Sequence, residues 1–236
     1  MPSAPPTVRR REQEVLRGTA KQARKGLGRF AVLRLITDLS YATRVVRYLL
    51  GLPVPMHTED RRVLEQIIFP YFLGLPDTRR VLFVGCDWYT KHYERAFFAD
   101  REYWTLDISE KARKFGGTRH IVAGMQNLGT RFAAGYFDLI VCNGVYGFGL
   151  DTVDECNLAI DAARTGLRDG GYFVFGWDDI PERTPVPLES ITALAKFERF
   201  APARLGFRYL SDTPYRHTYD FYRKPATARE SPRGSG

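Results

Sequence analysis

The stretch from Val81 to Asp107 constrains the fold more than any other part of this sequence. It reads VLFVGCDWYT, passes through a short helical stretch and closes on EYWTLD. An apolar run ending in Gly85, a polar turn, and a second aromatic-rich run closing on an acid describe two parallel strands with a crossover helix between them. In such a unit a ligand sits outside the carboxyl ends of the strands, so the residues after Val84 and the acid Asp107 face one crevice. Asp107 is the natural acceptor there for ribose hydroxyls.

Two further stretches follow in order: YFDLIVCNGVYGFGLD from Tyr136 to Asp151, and LRDGGYFVFGW from Leu167 to Trp177. Together with the first stretch they resemble class I S-adenosylmethionine-dependent methyltransferases. In that family the first strand commonly reads apolar-apolar-Asp-apolar-Gly-Cys-Gly-x-Gly and the second ends in an acid. The resemblance spans roughly Thr58 to Pro225. It implies a Rossmann-like α/β sheet, mostly parallel with an antiparallel C-terminal strand and helices on both faces, and S-adenosylmethionine as cofactor. The cofactor residues it implies are Gly85, Cys86, Asp87, Asp107, Met125, Gln126 and Asn143.

The sequence departs from that pattern at several positions. Phe83 stands where the family usually has its first acid, and Asp87 and Tyr89 stand at the second and third glycine positions. Met125 replaces an Asp that often contacts the adenine amine. A turn that loses two glycines must use less permissive φ/ψ, and its side chains restrict how closely a ligand approaches the backbone. Two alternatives follow: the cofactor is held by substitutes such as Asp87 and backbone groups, or it is not held at all.

At 236 residues and 44% apolar content, the chain has enough apolar material for one substantial core, and one α/β domain with an extension is the simplest division. The net charge of +8 lies wholly in Met1–Leu50, where eleven Lys/Arg face Glu12, Glu14 and Asp38; twenty-four basic and twenty-four acidic residues balance elsewhere. A body without net charge argues against a nucleic-acid groove across it. Cys86, Cys142 and Cys156 form no disulfide framework, and no CxxC pair suggests zinc. The three are expected as packed free thiols. The start of the chain lacks the pattern of a secretory signal, which gives an expectation of cytoplasmic residence.

The expected divisions are a basic helical extension over 1–57, the α/β domain over 58–225 and a disordered tail over 226–236. Within the extension a basic helix is expected over Val8–Lys25. A better patterned helix follows, with Val32, Leu35, Ile36, Leu39, Ala42, Val46 and Leu49 at helical spacing. Arg34, Asp38, Arg44 and Arg47 interrupt it and argue against a transmembrane span. Either this second helix packs on the domain while the first is a solvated arm, or the pair forms a peripheral anchor on anionic lipid. Thr58, Glu59 and Asp60 are read as the start of a third helix that ends near Pro70 or slightly beyond.

Methyl transfer would need the acceptor lone pair aligned with the methyl carbon in a dry pocket, and a general base only for an acceptor that still carries its proton. Asp178 is the first candidate base, with Asp179, His92 and His217 behind it; for His217 a satisfied sheet histidine is the favoured reading. Asn143 and Tyr146, in the loop after the fourth strand, are positioning candidates, and Asn143 also suits a turn-forming role. Trp88, Tyr89, Tyr146, Phe148 and Trp177 near the expected mouth suggest a small hydrophobic or aromatic acceptor, with core packing as the alternative for these rings. A repurposed enzyme on the same scaffold, or a noncatalytic binding protein, are the competing functional classes. The sequence gives no reading of oligomeric state.

Overall fold

A computed structural model describes residues 56–226, together with Thr43, Val46, Arg47, Leu52 and Val54. The basic arm and the tail after Ala226 lie outside the described residues, as does nearly all of the second helix. The chain divides after Pro55 into two units, and the second carries the sheet.

That unit begins with Glu59–Val63, a π-helical segment Leu64–Ile68 and Phe69–Leu73, which run on as one helix, α1. Thr58 occupies the N-cap position with extended backbone, but its hydroxyl makes no capping bond. Glu59 and Asp60 in the first turn complement the helix dipole instead. The helix runs through Pro70 and ends at Leu73, slightly beyond it as expected. Proline cannot donate to the carbonyl four residues back, and the wider π turn just before it absorbs that loss.

Eight strands follow: β1 Arg80–Val84, β2 Glu102–Asp107, β3 Arg119–Val122, β4 Phe137–Asn143, β5 Leu167–Asp178, β6 Glu198–Arg199, β7 Arg208–Leu210 and β8 His217–Arg223. They form one sheet in the order β3-β2-β1-β4-β5-β8-β6, with β7 also on β8. Strands β1 to β5 pair in parallel and β8 runs antiparallel to β5. The strand order reverses between β1 and β4, which makes their carboxyl ends the topological switch point where α/β folds bind ligands.

Helix α2, Tyr93–Phe97, lies between β1 and β2, and α3, Val153–Gly166, between β4 and β5. Thr152 and Glu155 close a reciprocal capping box at the start of α3. Asp169, Gly170 and Gly171, expected to end that helix, already belong to β5. The β4–β5 register jumps from Phe137↔Leu167 to Leu139↔Tyr172, so residues 168–171 form an irregular step in the strand.

The sheet separates two cores. On one face Leu82, Val84, Ile140, Cys142, Phe173 and Phe175 pack with Cys156, Ile160 and Ala163 of α3. On the other, Val81, Phe83, Val141, Val174, Tyr219 and Phe221 pack with Leu64, Ile68, Phe69 and Phe72 of α1. The alternation read in the last strand holds: Tyr219 and Phe221 join the α1 face and Tyr222 the α3 face. Phe83 is fully buried, with ring centroids 6.3 Å from Phe69 and 5.4 Å from Tyr93. An acid there would lie inside an aromatic cluster.

At the opposite, amino-terminal edge of the strands Asp138 acts as a clamp. Its carboxylate accepts from the backbone N–H of Arg79 (2.9 Å) and Arg80 (2.7 Å) and from Arg168 Nε (2.8 Å), and the residue is 4% exposed. Removing it orphans two backbone donors, each costing about 1–3 kcal/mol. Asp138→Ala is therefore expected to lower stability by about 2–4 kcal/mol, read as a fall in the urea midpoint with the slope retained. An unchanged midpoint would show that the clamp contributes nothing.

Candidate functional site

Five strand ends place a row of residues along the carboxyl edge. In spatial order these are Asp107 on β2, Gly85 after β1, Asn143 on β4, Asp178 on β5 and His217 on β8. Strand alternation puts the side chains of Asp107, Asn143, Asp178 and His217 on the α1 face, so one row of polar groups tops one apolar core.

Gly85 has φ +94°, and a Cβ there would lie 2.1 Å from the Asn143 carbonyl oxygen. Only glycine permits this approach of the β1 turn to β4. The Cys86 N–H then donates to Asp107 Oδ2 (2.9 Å) and the Ser109 N–H to Oδ1 (2.8 Å). These bonds hold the carboxylate still while each oxygen keeps a further lone pair. Asp107 is 6% exposed, and the next side chain, Ile108, is 53% exposed. A fixed carboxylate beside an open aliphatic surface suits a nucleoside, with the diol on one and a flat base on the other.

The two lost glycines cost the turn nothing in backbone strain. Asp87 has φ −146°, an extended value open to any residue, and forms a capping box with Thr90. Its carboxylate accepts the Trp88 N–H at 2.7 Å. Among the described residues only Arg204 and Arg216 combine a side chain with positive φ. The substitutions act through what their side chains cover: the guanidinium of Arg61 from α1 lies 4.1 Å over the Tyr89 ring.

From Arg61 a buried polar chain crosses the edge. His217 Nδ1 donates to Asp178 Oδ1 at 2.6 Å, which leaves Nε2 as an acceptor. Asn143 accordingly turns its amide nitrogen toward Nε2 (2.9 Å), and its oxygen accepts from Arg61 Nη1 and Nη2 (3.2 Å each). Asp178 Oδ2 accepts from Arg183 Nη1 at 2.7 Å. Burial raises the Asp178 carboxyl, but the hydrogen bonds from His217 and Arg183 and the charge of Arg183 outweigh it and hold the group below its ordinary 3.8. Arg61, Asn143, Asp178, Arg183 and His217 are each at most 9% exposed. At the far end Arg61 donates to the Tyr93 hydroxyl (3.3 Å), which donates to Glu65 (3.0 Å).

The structure thus joins Asp178, His217 and Asn143, and it corrects other expectations. Tyr146 does not face the crevice: it is fully buried against Phe175 and Trp177 and gives its hydroxyl to the Val186 carbonyl. Trp177 is 4% exposed and donates to Asp220 Oδ2 at 2.9 Å, so neither ring lines a mouth. Met125 is a core residue, 2% exposed, while Gln126 beside it is exposed. Cys86 brings its backbone N–H to the site, and burial pushes its thiol up. Asp179 pairs with Arg216 at 3.2 Å, and His92 packs edge-on against Tyr93. A recess of about 640 Å³ opens at the amino edge near Leu73, Arg80 and Glu102, remote from this row.

Sequence reasoning missed Arg61, Ile108, Gly176 and Arg183. A Cβ on Gly176 would meet the Asn143 side-chain amide at 2.0 Å; a glycine inside an apolar strand was the available signal. Arg61 lies on the helix face of Leu64 and Ile68, where a charge breaks the apolar stripe. Arg183 follows β5 in a loop and carries no local signal.

No family model matches the chain, and no curated protein matches it. Similarity to solved structures is clear at the level of the fold. The N-methyltransferase NodS from Bradyrhizobium japonicum is 18% identical with a TM-score of 0.53, over 70% of this chain and 96% of that one. Its complex with S-adenosyl-L-homocysteine gives 16% and 0.54, over 72% and 89%. A TehB-like methyltransferase from Corynebacterium glutamicum gives 16% and 0.51, over 80% and 98%. The chain has the class I methyltransferase fold.

The Asp178 grip makes a pH-dependent prediction. A carboxyl whose folded pKa is depressed contributes stability above its unfolded value, and loses that contribution as pH falls through the folded one. Asp178→Asn also leaves Arg183 buried without its counter-charge, at a cost of about 3 kcal/mol near neutrality. Urea midpoints of the two proteins are expected to differ at pH 7 and to converge below about pH 4. A gap that stays constant down to pH 3 would refute the assignment.

Proposed function

We propose that this protein is an S-adenosylmethionine-dependent methyltransferase acting on a small hydrophobic or aromatic acceptor. The observation that carries the reading is the fixed Asp107 carboxylate beside exposed Ile108 at the switch point of a methyltransferase-type sheet. A NodS structure with S-adenosyl-L-homocysteine supports the choice of cofactor. The residues fit such a group: Asp107 offers lone pairs to a ribose diol, Ile108 an aliphatic surface to a base, and Gly85 a turn without a side chain. When bound, the cofactor supplies an electrophilic methyl group on a sulfonium.

The acceptor would lie at the other end of the row, by Asn143, Asp178 and His217. His217 presents both nitrogens to fixed partners, so in this state it holds a proton on Nδ1 and none on Nε2. Turning the Asn143 amide away would expose Nε2 as a base supported by Asp178, and only an acceptor that still carries its proton requires this. The half-buried Trp88, Tyr89 and Phe148 are the rings left to cover a flat acceptor.

Isothermal titration with S-adenosylmethionine and with S-adenosylhomocysteine tests the reading. Micromolar binding, about −8 kcal/mol, is expected for both. Ile108→Ser leaves the turn intact and removes the aliphatic surface, so affinity should fall about tenfold, or about 1.4 kcal/mol. Asp107→Ala should abolish detectable heat. Absence of binding by the unmodified protein would turn the reading toward a repurposed or noncatalytic scaffold.

The basic extension is proposed to touch anionic lipid. No described helix is long and apolar enough to cross a membrane. In flotation with vesicles rich in anionic lipid, full-length protein is expected to rise and protein lacking residues 1–27 to stay behind. Equal flotation would sink the idea.

A further inference from the structure

Most polar groups along the carboxyl edge are committed to one another. Arg183 pairs with Asp178 at 2.7 Å and lies 3.7 Å under the centre of the Tyr215 ring, and Asn143 joins His217 to Arg61. The Tyr89 hydroxyl differs: among the described residues it makes no hydrogen bond, and its oxygen is not sealed from solvent. Its ring is nevertheless held. Tyr89 lies in the short turn Trp88–Thr90, whose start is fixed by the Asp87–Thr90 capping box. The Arg61 guanidinium lies 4.1 Å from the ring centre, and Trp88 meets the ring edge-on at 5.4 Å. A cation on the face and an indole at the edge orient the ring before any ligand arrives.

Position indicates what the hydroxyl meets. Asp107 stands at the end of β2 and Asn143 at the end of β4, with β1 between them. A ligand with its diol on Asp107 and its reacting group by Asn143 crosses the turn after β1. Tyr89 is the side chain of that turn that lies on Arg61, and Arg61 in turn touches Asn143. The part of S-adenosylmethionine that branches there, beyond the ribose, is a zwitterionic amino-acid tail. Burial raises the Tyr89 hydroxyl above its ordinary 10, with the Arg61 charge opposing and Asp87, Asp60 and Asp178 adding to the rise. The group therefore keeps its proton near neutrality and acts as a donor. One cation and three acids around it make a mixed field, which suits a zwitterion better than an anion alone.

We propose that Tyr89 is a specificity residue for the amino-acid tail of the cofactor, its hydroxyl donating to the tail carboxylate while Arg61 holds its ring. This rests on the methyltransferase reading and adds a contact that a glycine at this position could not make. A hydrogen bond to a charged acceptor is about twice as strong as one between neutral groups, so the contact separates ligands that carry the carboxylate from those that lack it.

The test is isothermal titration of full-length protein with S-adenosylhomocysteine, with its decarboxylated form, which keeps the amine, and with 5′-methylthioadenosine, which lacks the tail. Unmodified protein is expected to bind S-adenosylhomocysteine about ten times tighter than the decarboxylated form. Tyr89→Phe keeps the ring on Arg61 and removes no internal hydrogen bond, so it should fold as the unmodified protein does. It should weaken S-adenosylhomocysteine about tenfold and leave the other two ligands within about twofold. Asp107→Ala, by contrast, should weaken all three. Undiminished S-adenosylhomocysteine binding by Tyr89→Phe, or an equal loss for all three ligands, would overturn the proposal. So would equal affinity of unmodified protein for S-adenosylhomocysteine and its decarboxylated form. Retained binding of 5′-methylthioadenosine in those cases would leave the nucleoside site standing. Failure of unmodified protein to bind any of the three would overturn the parent reading, and this contact with it.

Discussion

The hydrogen bond between Asn143 and His217 is the contact on which the carboxyl edge depends. It links β4 to β8 across β5, and it forces a unique assignment on both partners. With Nδ1 committed to Asp178, the imidazole offers only an acceptor, so the amide must present nitrogen to it and oxygen to Arg61. Every group in the line from Glu65 to Arg183 thereby has its role fixed by its neighbours. Taking such groups out of water is unfavourable unless each finds a partner. The near-complete mutual satisfaction of the line, in which only Arg61 Nε lacks a hydrogen bond and faces Asp60 at 3.5 Å, is what makes a polar layer tolerable on top of the Val141, Val174 and Tyr219 core.

The turn after β1 keeps its close approach to β4 by a different division of labour from the glycine-rich version it resembles. One residue, Gly85, supplies both the positive φ and the close approach to β4. Asp87 replaces conformational freedom with a capping box, a local hydrogen-bonded turn that any extended residue with a short acceptor can begin. Tyr89 then becomes available for another purpose, and Arg61 uses its face. The glycine pattern is thus one solution to a geometric requirement whose minimum is a single glycine.

Much of the fold was legible because it rests on local patterns. The apolar run Val81–Val84 closed by Gly85 and the alternation of His217–Tyr222 each specify an element from within a few residues. Asp107, Asn143, Asp178 and His217 were legible as residues of the carboxyl edge because strand ends are positions, and position follows from the elements. What was not legible depends on contacts made at a distance in sequence. Tyr146 and Trp177 looked like mouth residues by neighbourhood, yet strand and loop direction turns both into the α3 face. Arg183 becomes meaningful only when Tyr215 is brought over it by the β7–β8 turn. The Asp169–Gly171 stretch carries the composition of a helix stop, but it lies within β5 as a step out of register with β4, where Gly170 and Gly171 exchange backbone hydrogen bonds with Lys224 just past β8.

The turn that delivers His217 contains Arg216 at φ +50°, a left-handed conformation that costs a residue with a Cβ about 1–2 kcal/mol. Arg216 stands between Tyr215, which covers Arg183, and His217, which grips Asp178. Backbone bonds on either side leave little slack: the Arg216 N–H reaches the Thr213 carbonyl at 2.9 Å and the His217 N–H reaches Thr213 Oγ1 at 3.0 Å. The cover over Arg183, the strained φ and the imidazole that grips Asp178 are therefore carried by three consecutive residues of one turn, so the placing of the ring and of the imidazole is set by the same few backbone angles.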